Sequence, residues 1–400
     1  MQATADKSGS DSTLRVGVVG LGARAKLALH CETAENDARI VAAADPSPYA
    51  QHRLHDQLSK DFSVDPDISA WTSTDIDIAF VLSPDDTHAA VTCDLLEKGI
   101  AVYLEKPLAI WTEDATRILE TAYRTRTPLY VGHNMRHMSV VKTLKRIIDE
   151  GLIGDVKTIW CRHFVGNGGD YYFKDWHAEQ ARVNSLLLQK GAHDIDVMHW
   201  LAGGYTKTVV GMGNLGLYGS ITNRRDNHDR LKGDWFSMSN WPPLSQTNLN
   251  PTIDVEDLSM VLMELDNGIL TSYQQCHYTP DYWRNYTVIG TAGRAENFGD
   301  TTGGVVRVWQ NRVTYDGAGT LEIPVDDTSD GHLDADKRTV AEFIKFVRFG
   351  GKTQTSPVGA WYAAVTGSEA AFSLRNGSIP RDIPSLPKHL VQFFETTIER

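Results

Sequence analysis

The sequence has few cysteines and a deficit of positive charge. Its four cysteines, among 400 residues, include no CxxC pair, and a chain of this length does not need disulfides to stabilise a core. We therefore expect free thiols in a reducing compartment, the cytoplasm. Against 39 lysines and arginines stand 51 aspartates and glutamates, a net charge of -12. This balance argues against a nucleic-acid or anionic-membrane partner, which would require a basic face.

The sequence also lacks a hydrophobic run long enough to cross a membrane, and its first residues contain no apolar signal segment. We therefore predict no membrane partner, and we interpret residues 1–13 as a disordered tail. At 400 residues the chain exceeds the size at which a single core stops growing. Two domains, or one large composite domain, are therefore expected.

Short apolar runs alternate with helical patterns over residues 14–135. The runs LRVGVV, RIVAAAD, DIAFVLSP, AVYLEKP and PLYVGHN are separated by segments with helical spacing. Such alternation with short connections is typical of parallel βαβ units. The fold class predicted is α/β, with an N-terminal Rossmann domain built on a doubly wound parallel sheet.

Longer strand patterns follow in residues 136–385, with turn signals such as DNG. They predict a C-terminal α+β domain on a large mixed or antiparallel sheet, which would bind substrate and mediate oligomerisation, followed by a C-terminal segment at 386–400. Residues 220–251 are polar, contain prolines and lack periodicity. We interpret them as a long excursion loop, whose Trp235 and Trp241 could cover a cleft or a neighbouring subunit.

The stretch VGVVGLGARA has the order G-x-G-x-x-A at Gly20, Gly22 and Ala25, after a strand and before a helix. This pattern permits a tight turn, close approach of a pyrophosphate, and close packing of helix on strand. A purely structural turn is the alternative. Asp45 ends the second strand, where an acid accepts hydrogen bonds from a ribose and repels a 2′-phosphate. We predict NAD rather than NADP, although Arg24 could pair with either phosphate.

Three further motifs follow later strands: SPDDTH, EKP at residues 105–107, and NMRH at 134–137. With these motifs the chain resembles the Gfo/Idh/MocA family, the oxidoreductases related to glucose-fructose oxidoreductase and inositol dehydrogenase. The resemblance implies hydride transfer between a nicotinamide and a secondary hydroxyl of a sugar or cyclitol. It also implies an open C-terminal sheet that packs against another subunit, so we expect a homodimer or homotetramer.

The stretch LLLQKGAHDID places Lys190 and His193 on an apolar stripe together with Leu186, Val197 and Leu201. Burying a cation without a partner is costly, so the stripe must face a polar network or a wet cleft. The resemblance identifies Lys106 as the lysine of EKP, His193 as the active-site histidine and Asp196 as an acid that holds substrate hydroxyls. It fails at Gln189, where the family pattern has an acid, and Lys190 adds a charge that the pattern lacks.

Alcohol oxidation needs a hydride acceptor, a base and a cation near the developing alkoxide. His193, with an ordinary pKa near 6.5, suits the base, and Lys106 suits the cation. The predicted catalytic residues are Lys106 and His193. The predicted substrate-binding residues are Lys190, Asp196, Gln189, Arg136, His177, Trp176 and His163. The predicted cofactor-binding residues are Gly20, Gly22, Ala23, Arg24, Ala25, Asp45, Ser83, Pro84, His88, Glu105 and Lys106.

Other interpretations of these residues remain open. His193 could be a satisfied core histidine, and Lys106 a surface partner of Glu105. We predict no metal, because His193 and His199 do not share a helix face. An NAD-dependent glycosidase, which oxidises a sugar transiently, eliminates, hydrates and re-reduces it, is the alternative function. A non-catalytic NAD-binding regulator would be expected to lack Lys106 or His193, and both are present.

Overall fold

The computed structural model describes residues 13–312, 314–325 and 332–395. The tail predicted for residues 1–13 lies outside the described residues except for Thr13, and so does the end of the predicted C-terminal segment. Among the helices of the described ranges, none is both long and apolar enough to cross a membrane.

The first sheet has five parallel strands in the order β2-β1-β3-β4-β5, which confirms the predicted Rossmann arrangement. All residues of β3 and β4 are buried, which is why these segments are continuous apolar runs rather than alternating ones. A 3-10 helix at Ala25–Cys31 takes the place of the expected first α-helix. The strands are β1 Leu14–Val19, β2 Ala38–Ala44, β3 Ile78–Val81, β4 Ala101–Leu104 and β5 Leu129–Val131; the helices are α1 Ala50–Leu58, α2 His88–Glu97 and α3 Thr112–Thr125.

The second sheet is mixed, as predicted, with nine strands in the order β13-β12-β11-β10-β6-β9-β8-β7-β14. Its strands are β6 Val156–Val165, β7 Thr206–Asn214, β8 Leu258–Leu265, β9 Leu270–Cys276, β10 Tyr282–Gly290, β11 Arg294–Phe298, β12 Val305–Trp309, β13 Leu321–Pro324 and β14 Arg381–Asp382. Only the β6–β9 pair is parallel among the described strands of this sheet. The predicted DNG turn joins β8 to β9, with Gly268 at φ 81°.

Helices cover one face of the second sheet and leave the other open. The helices that follow β5 in the chain are α4 Ser139–Asp149, α5 Gly168–Tyr172, α6 Gln180–Val183, α7 Leu186–Gln189, α8 Gly191–Ala202, α9 His332–Phe349, α10 Pro357–Arg375 and α11 Lys388–Glu395. Of these, α4, α8 and α10 contact strands of the second sheet. Buried and exposed residues alternate along β8, so one set packs on the covered side and the other, including Met260 and Leu262, is exposed. The outer face therefore presents large apolar side chains.

Helix α9 packs on the first sheet, although it follows the second in sequence. Its Val340 and Phe343 are buried in one cluster with Phe80 of β3 and Tyr103 of β4. The Phe343 ring meets the Phe80 ring edge to face at 5.7 Å. The periodicity of α9 indicates a helix but not the sheet that the helix covers. The domain boundaries at 14–135 and 136–385 stay predictions.

The excursion between β7 and β8 contains no named strand in the described structure, as expected. It is fixed to α5 by the buried Asp170 carboxylate, which accepts hydrogen bonds from Asn240 at 2.6 Å and Gln246 at 3.0 Å. Lys174 pairs with the same carboxylate at 3.1 Å. The Trp235 indole donates to the Asp170 carbonyl at 2.8 Å. The loop is thus held over α5, beside the site described next.

Candidate active site

The segment LLLQKGAHDID forms two helices rather than one. Helix α7 ends at Gln189, α8 begins at Gly191, and Lys190 lies between them with φ -104° and ψ -42°. All residues of the predicted stripe are buried, but so is every residue from Gly191 to His199. Helix α8 is enclosed by α10 and the second sheet, so its polar side chains must find partners inside the protein.

Lys106 follows β4 and connects the two sheets. Its Nζ donates to the carbonyl oxygen of Gln189 at 2.7 Å. Burial lowers the pKa of Lys106 below its usual 10.5, and nearby Lys190 acts in the same direction, while Asp85 and Glu105 oppose it. The surface ion pair that was the alternative interpretation of Lys106 is excluded, because the side chain is buried.

Asp85 is a site residue that the sequence analysis missed. It lies in SPDDTH after β3, and its Oδ2 atom is buried without a hydrogen-bond partner in the described structure. Burial raises the pKa of Asp85, and the charges of Lys106 and His177 lower it in part. An acid at the carboxyl end of a parallel strand was the available signal.

His193 is buried beside these cations. Burial lowers the pKa of His193 well below 6.5, and the charges of Lys106 and Lys190 lower it further. The expectation of a pKa near 6.5 is therefore wrong, since it ignored burial among lysines. The ring is neutral at neutral pH, which leaves one ring nitrogen as an acceptor. The His133 ring lies edge to face with it, at a centroid distance of 6.4 Å.

Lys190 lies between two tyrosine rings. Its Nζ is 5.7 Å from the ring centroids of both Tyr172 and Tyr282, and 3.4 Å from the Tyr282 hydroxyl. Burial lowers the pKa of Lys190 well below 10.5, and Arg284 lowers it further. The charge of Lys190 in turn acts on Lys106 and His193.

Asp194, also missed, is the centre of a buried network. Its carboxylate accepts from Tyr286 at 2.5 Å and from Tyr273 at 3.1 Å, and Arg284 pairs with it at 3.1 Å. Burial alone would raise the pKa of Asp194, but Arg284 and His163 hold it well below its usual range. Sequence spacing did not distinguish this acid from Asp196, two residues later.

His163 belongs to that network rather than to an open cleft. Its Nδ1 lies 3.1 Å from Asp194, and the residue is fully buried. Burial lowers the pKa of His163 to about 3. Neighbouring Arg162 contacts Asn285 and Glu296 on the outer face of the sheet. The His163 Nε2 atom is buried without a hydrogen-bond partner in the described structure, and its ring meets the Tyr282 ring edge to face at 5.6 Å.

Asp196 and Arg136, both predicted to bind substrate, bind each other. Two hydrogen bonds of 2.7 and 2.6 Å join the guanidinium to the carboxylate. Arg136 also donates to the Gln354 carbonyl at 2.8 Å. This buried pair connects the turn after β5 to α8, and its geometry indicates a structural role.

Trp176 and His177 lie half-buried at the rim of the site. Their rings stack at 3.7 Å, and His177 Nδ1 is 2.6 Å from Asp175. His177 also meets the Tyr172 ring edge to face at 5.7 Å. The Gln189 side chain is buried, and its Oε1 has no hydrogen-bond partner in the described part of the chain. These placements leave Trp176, His177 and Gln189 as candidates for substrate contact.

The glycine loop fits a dinucleotide. Gly20 has φ 90°, and a Cβ there would lie 2.7 Å from the backbone of Ser83, whereas a Cβ on Gly22 would meet open space. Asp45 Oδ2 accepts from the Leu21 amide and Oδ1 from the Ser47 amide, each at 2.8 Å. The open side of Gly22 can admit a pyrophosphate, and the half-exposed Asp45 keeps acceptor capacity for a ribose.

The backbone N–H groups of Gly22, Ala23 and Arg24 donate no hydrogen bond within the described structure, and they precede the helix that Ala25 begins. Such amides suit phosphate oxygens. The Arg24 side chain, in contrast, is held by Asp336 at 2.7 Å and Glu105 at 3.1 Å. Arg24 and Glu105 therefore neutralise each other instead of facing a phosphate.

His88 ties the turn after β3 to the EKP turn. Its buried ring nitrogens lie 2.7 Å from the Pro107 carbonyl oxygen and 3.1 Å from that of Ser83. Burial lowers the pKa of His88 to about 4. Ser83 and Pro84 form the turn that faces Gly20, with the Ser83 hydroxyl 2.6 Å from that of Thr87. His88 supports this turn from inside.

Within the described ranges, no group of three or more histidine, cysteine, aspartate or glutamate side chains is arranged to hold a metal ion. All four cysteines are free.

Comparisons with known proteins agree with this geometry. Residues 14–133 match the family model for the oxidoreductase family, NAD-binding Rossmann fold, and residues 141–296 match the GFO/IDH/MocA C-terminal domain. Inositol 2-dehydrogenase of Burkholderia lata is 31% identical over 207 residues, which cover 50% of this chain and 57% of that protein. The 1-carboxy-3-chloro-3,4-dihydroxycyclohexa-1,5-diene dehydrogenase of Comamonas testosteroni is 29% identical over 198 residues, 48% of each chain. The matches thus span less than two thirds of these relatives.

A solved structure of levoglucosan dehydrogenase, in complex with NADH and levoglucosan, has the same fold. It superposes with a TM-score of 0.72 over 93% of this chain and 100% of that chain, at 18% sequence identity.

Proposed function

The chain belongs to the GFO/IDH/MocA family of oxidoreductases, and on that premise we propose that it transfers hydride between NAD and a secondary hydroxyl of a sugar, glycoside or cyclitol. The proposal rests on one observation. The hydrogen bond from Lys106 Nζ to the Gln189 carbonyl places the EKP turn of the first sheet against the segment that carries His193. The segment that carries the His193 imidazole thereby lies beside a lysine at the edge of a dinucleotide fold.

NAD would be held by the amides of Gly22 and Ala23 and by the Asp45 carboxylate, and when bound it supplies the hydride acceptor. Neutral His193 accepts the proton of the substrate hydroxyl. Lys106 donates to the same oxygen and stabilises negative charge that develops on it. Burial of both groups excludes water from the oxygen, which strengthens these electrostatic contacts.

A substrate panel tests the function. Sugars, cyclitols and aryl glycosides are incubated with enzyme and NAD, while NADH absorbance and released aglycone are followed together. We expect NADH to accumulate with at least one polyol and without prior aglycone release. Aglycone release without NADH would contradict net oxidation and support the redox-neutral glycosidase, which the relatives cited do not specifically favour.

The pH profile tests the two catalytic roles. Lys106 must be protonated to stabilise the alkoxide, so kcat/KM should fall as pH rises through its pKa, which burial places below 10.5. Lys106→Arg keeps the charge and should abolish this limb, at a reduced rate. His193→Ala should lower turnover by about two to four orders of magnitude and change NAD affinity little. No acidic limb near 6.5 is expected, because His193 is already neutral there.

The matched control for these variants is His52→Ala, which alters an exposed histidine on α1 and should keep full activity. If kcat/KM instead rose as pH increased through the same alkaline range, Lys106 would act as the base, and the role assigned to it here would be wrong. If His193→Ala kept full turnover, His193 would not be the base and its role would be structural.

The cofactor preference rests on Asp45. Its charge should repel a 2′-phosphate, and its free acceptor capacity should favour a ribose hydroxyl. Dissociation constants should therefore favour NAD over NADP by at least about tenfold, roughly 1.4 kcal/mol. Asp45→Asn should reduce the ratio of NADP to NAD dissociation constants. The control Asp61→Asn, at an exposed position, should leave that ratio unchanged. Equal affinities in the unmodified protein would overturn the role of Asp45.

A homo-oligomer, dimer or tetramer, is proposed from the outer face of the second sheet. Large apolar side chains are exposed there, including Leu262 at 65% and Trp160 at 51%. An exposed apolar patch of this kind suits a second copy of the sheet. Light scattering at micromolar concentration should show an oligomer that Leu262→Arg weakens and that Leu244→Arg, at an equally exposed loop position, leaves intact. A monodisperse monomer would contradict this proposal.

The free cysteines support a cytoplasmic location. Cell fractionation that recovered the protein with the cytoplasm would agree with it, and recovery from an oxidising compartment would not.

A further inference from the structure

We propose that the substrate of this site carries an anionic group, a carboxylate or a phosphate, that Lys190, Lys232 and the hydroxyl of Tyr282 bind together. This inference rests on the proposed function and names the chemical class of its substrate. It depends on three separate observations, one for each residue.

Lys190 is a buried basic side chain, and the two acids whose charges act on it, Asp194 and Asp300, pair with Arg284 instead. Its side chain is surrounded by the rings of Tyr172 and Tyr282, and no carboxylate forms an ion pair with it among the described residues. Its single hydrogen bond, to the Tyr282 hydroxyl, is long at 3.4 Å. An ammonium group has three N–H donors, and this contact uses at most one of them. Burying such a group is costly, and an anionic ligand would offset the cost.

The Tyr282 hydroxyl can act only as a donor to a ligand. Its oxygen lies 3.4 Å from Lys190 Nζ and 3.2 Å from an Arg284 nitrogen, and both of those groups are donors without acceptor capacity. The oxygen therefore accepts from two basic groups, which leaves its own hydrogen free to be donated. No acceptor for that hydrogen is found in the described structure. Tyr282 is only partly buried, so a ligand can reach it.

Lys232 brings a second cation to the same place from the excursion loop. Its Nζ lies over the Tyr171 ring at 4.2 Å, and that ring stacks on Phe236 at 5.6 Å with an interplanar angle of 10°. No carboxylate pairs with Lys232 in the part of the chain that the structure describes. The Tyr171 ring in turn meets the Tyr172 ring edge to face at 6.2 Å, and Lys190 Nζ lies 5.7 Å from that Tyr172 ring. Adjacent aromatic rings therefore connect Lys232 to Lys190 and Tyr282.

Other buried cations near the site are neutralised. Arg284 pairs with Asp194 at 3.1 Å, and Arg136 pairs with Asp196 at 2.6 Å. Asp175, whose charge acts on Lys232, is engaged by the His177 ring at 2.6 Å. In a protein with a net charge of -12, two lysines without acids at one aromatic cleft indicate that the ligand supplies the negative charge.

Matched sugars test the inference. Glucose, galactose and mannose are compared with their uronates and their 6-phosphates, by calorimetric binding to the NAD-loaded enzyme and by NADH formation. At least one ring should bind about tenfold or more tightly as the uronate or the phosphate than in its neutral form, and the two anionic series distinguish carboxylate from phosphate. Equal or weaker binding of every anionic form would overturn the inference, while NADH formation from a neutral sugar would leave the proposed function standing.

Variants locate the anion. Lys232→Gln and Tyr282→Phe should each lower the ratio of anionic to neutral affinity by about tenfold. Lys157→Gln, at an exposed position on the second sheet, should leave the ratio and the activity unchanged. If Lys232→Gln lowered both affinities equally, or weakened NAD binding instead, Lys232 would serve the cofactor or the loop and the anion site would be wrong.

Discussion

The hydrogen bond from Lys106 Nζ to the Gln189 carbonyl is the contact on which the candidate site depends. It joins the end of β4 in the first sheet to the break between α7 and α8 beneath the second. Without the break, the carbonyl of Gln189 would be directed along a continuous helix and would be used by it. Lys190 fills the break, so the irregular backbone and the buried cations are parts of one arrangement. His193 lies one helical turn later, where the charges of Lys106 and Lys190 act on its ring.

The positive charges at the site explain why acidic side chains are buried next to it. Burying several cations together is unfavourable, and the protein offsets it with the carboxylates of Asp85, Asp194 and Asp196, each buried beside a basic group. Asp194 and Asp196 pair with arginines, whereas Asp85 forms no ion pair among the described residues. Neutral His193 follows from the same balance, because protonating it would add one more buried positive charge.

Much of this could be predicted from the sequence, because it depends on local patterns. Period-two alternation and continuous apolar runs indicated both sheets, and the glycine loop, Asp45, Lys106 and His193 follow strands or lie in short motifs. The features that the sequence analysis missed depend on contacts between residues that are far apart in the chain. The spacing of Asp194 and Asp196 cannot say which meets Arg284 and which meets Arg136. Tyr282 and Lys232 belong to no recognisable motif. Nothing in the sequence of α9 indicates that this helix covers the first sheet.

The most direct test of this account is the ionisation of Lys106 itself. Lysine labelled with carbon-13 at Cε is titrated through the alkaline range by NMR, with Lys106→Arg used to assign the signal. The account predicts that Lys106 loses its proton at a pH below its usual pKa of 10.5, because the side chain is buried. If Lys106 titrated together with the exposed lysines, it would not be buried beside His193, and the proposed site would be contradicted.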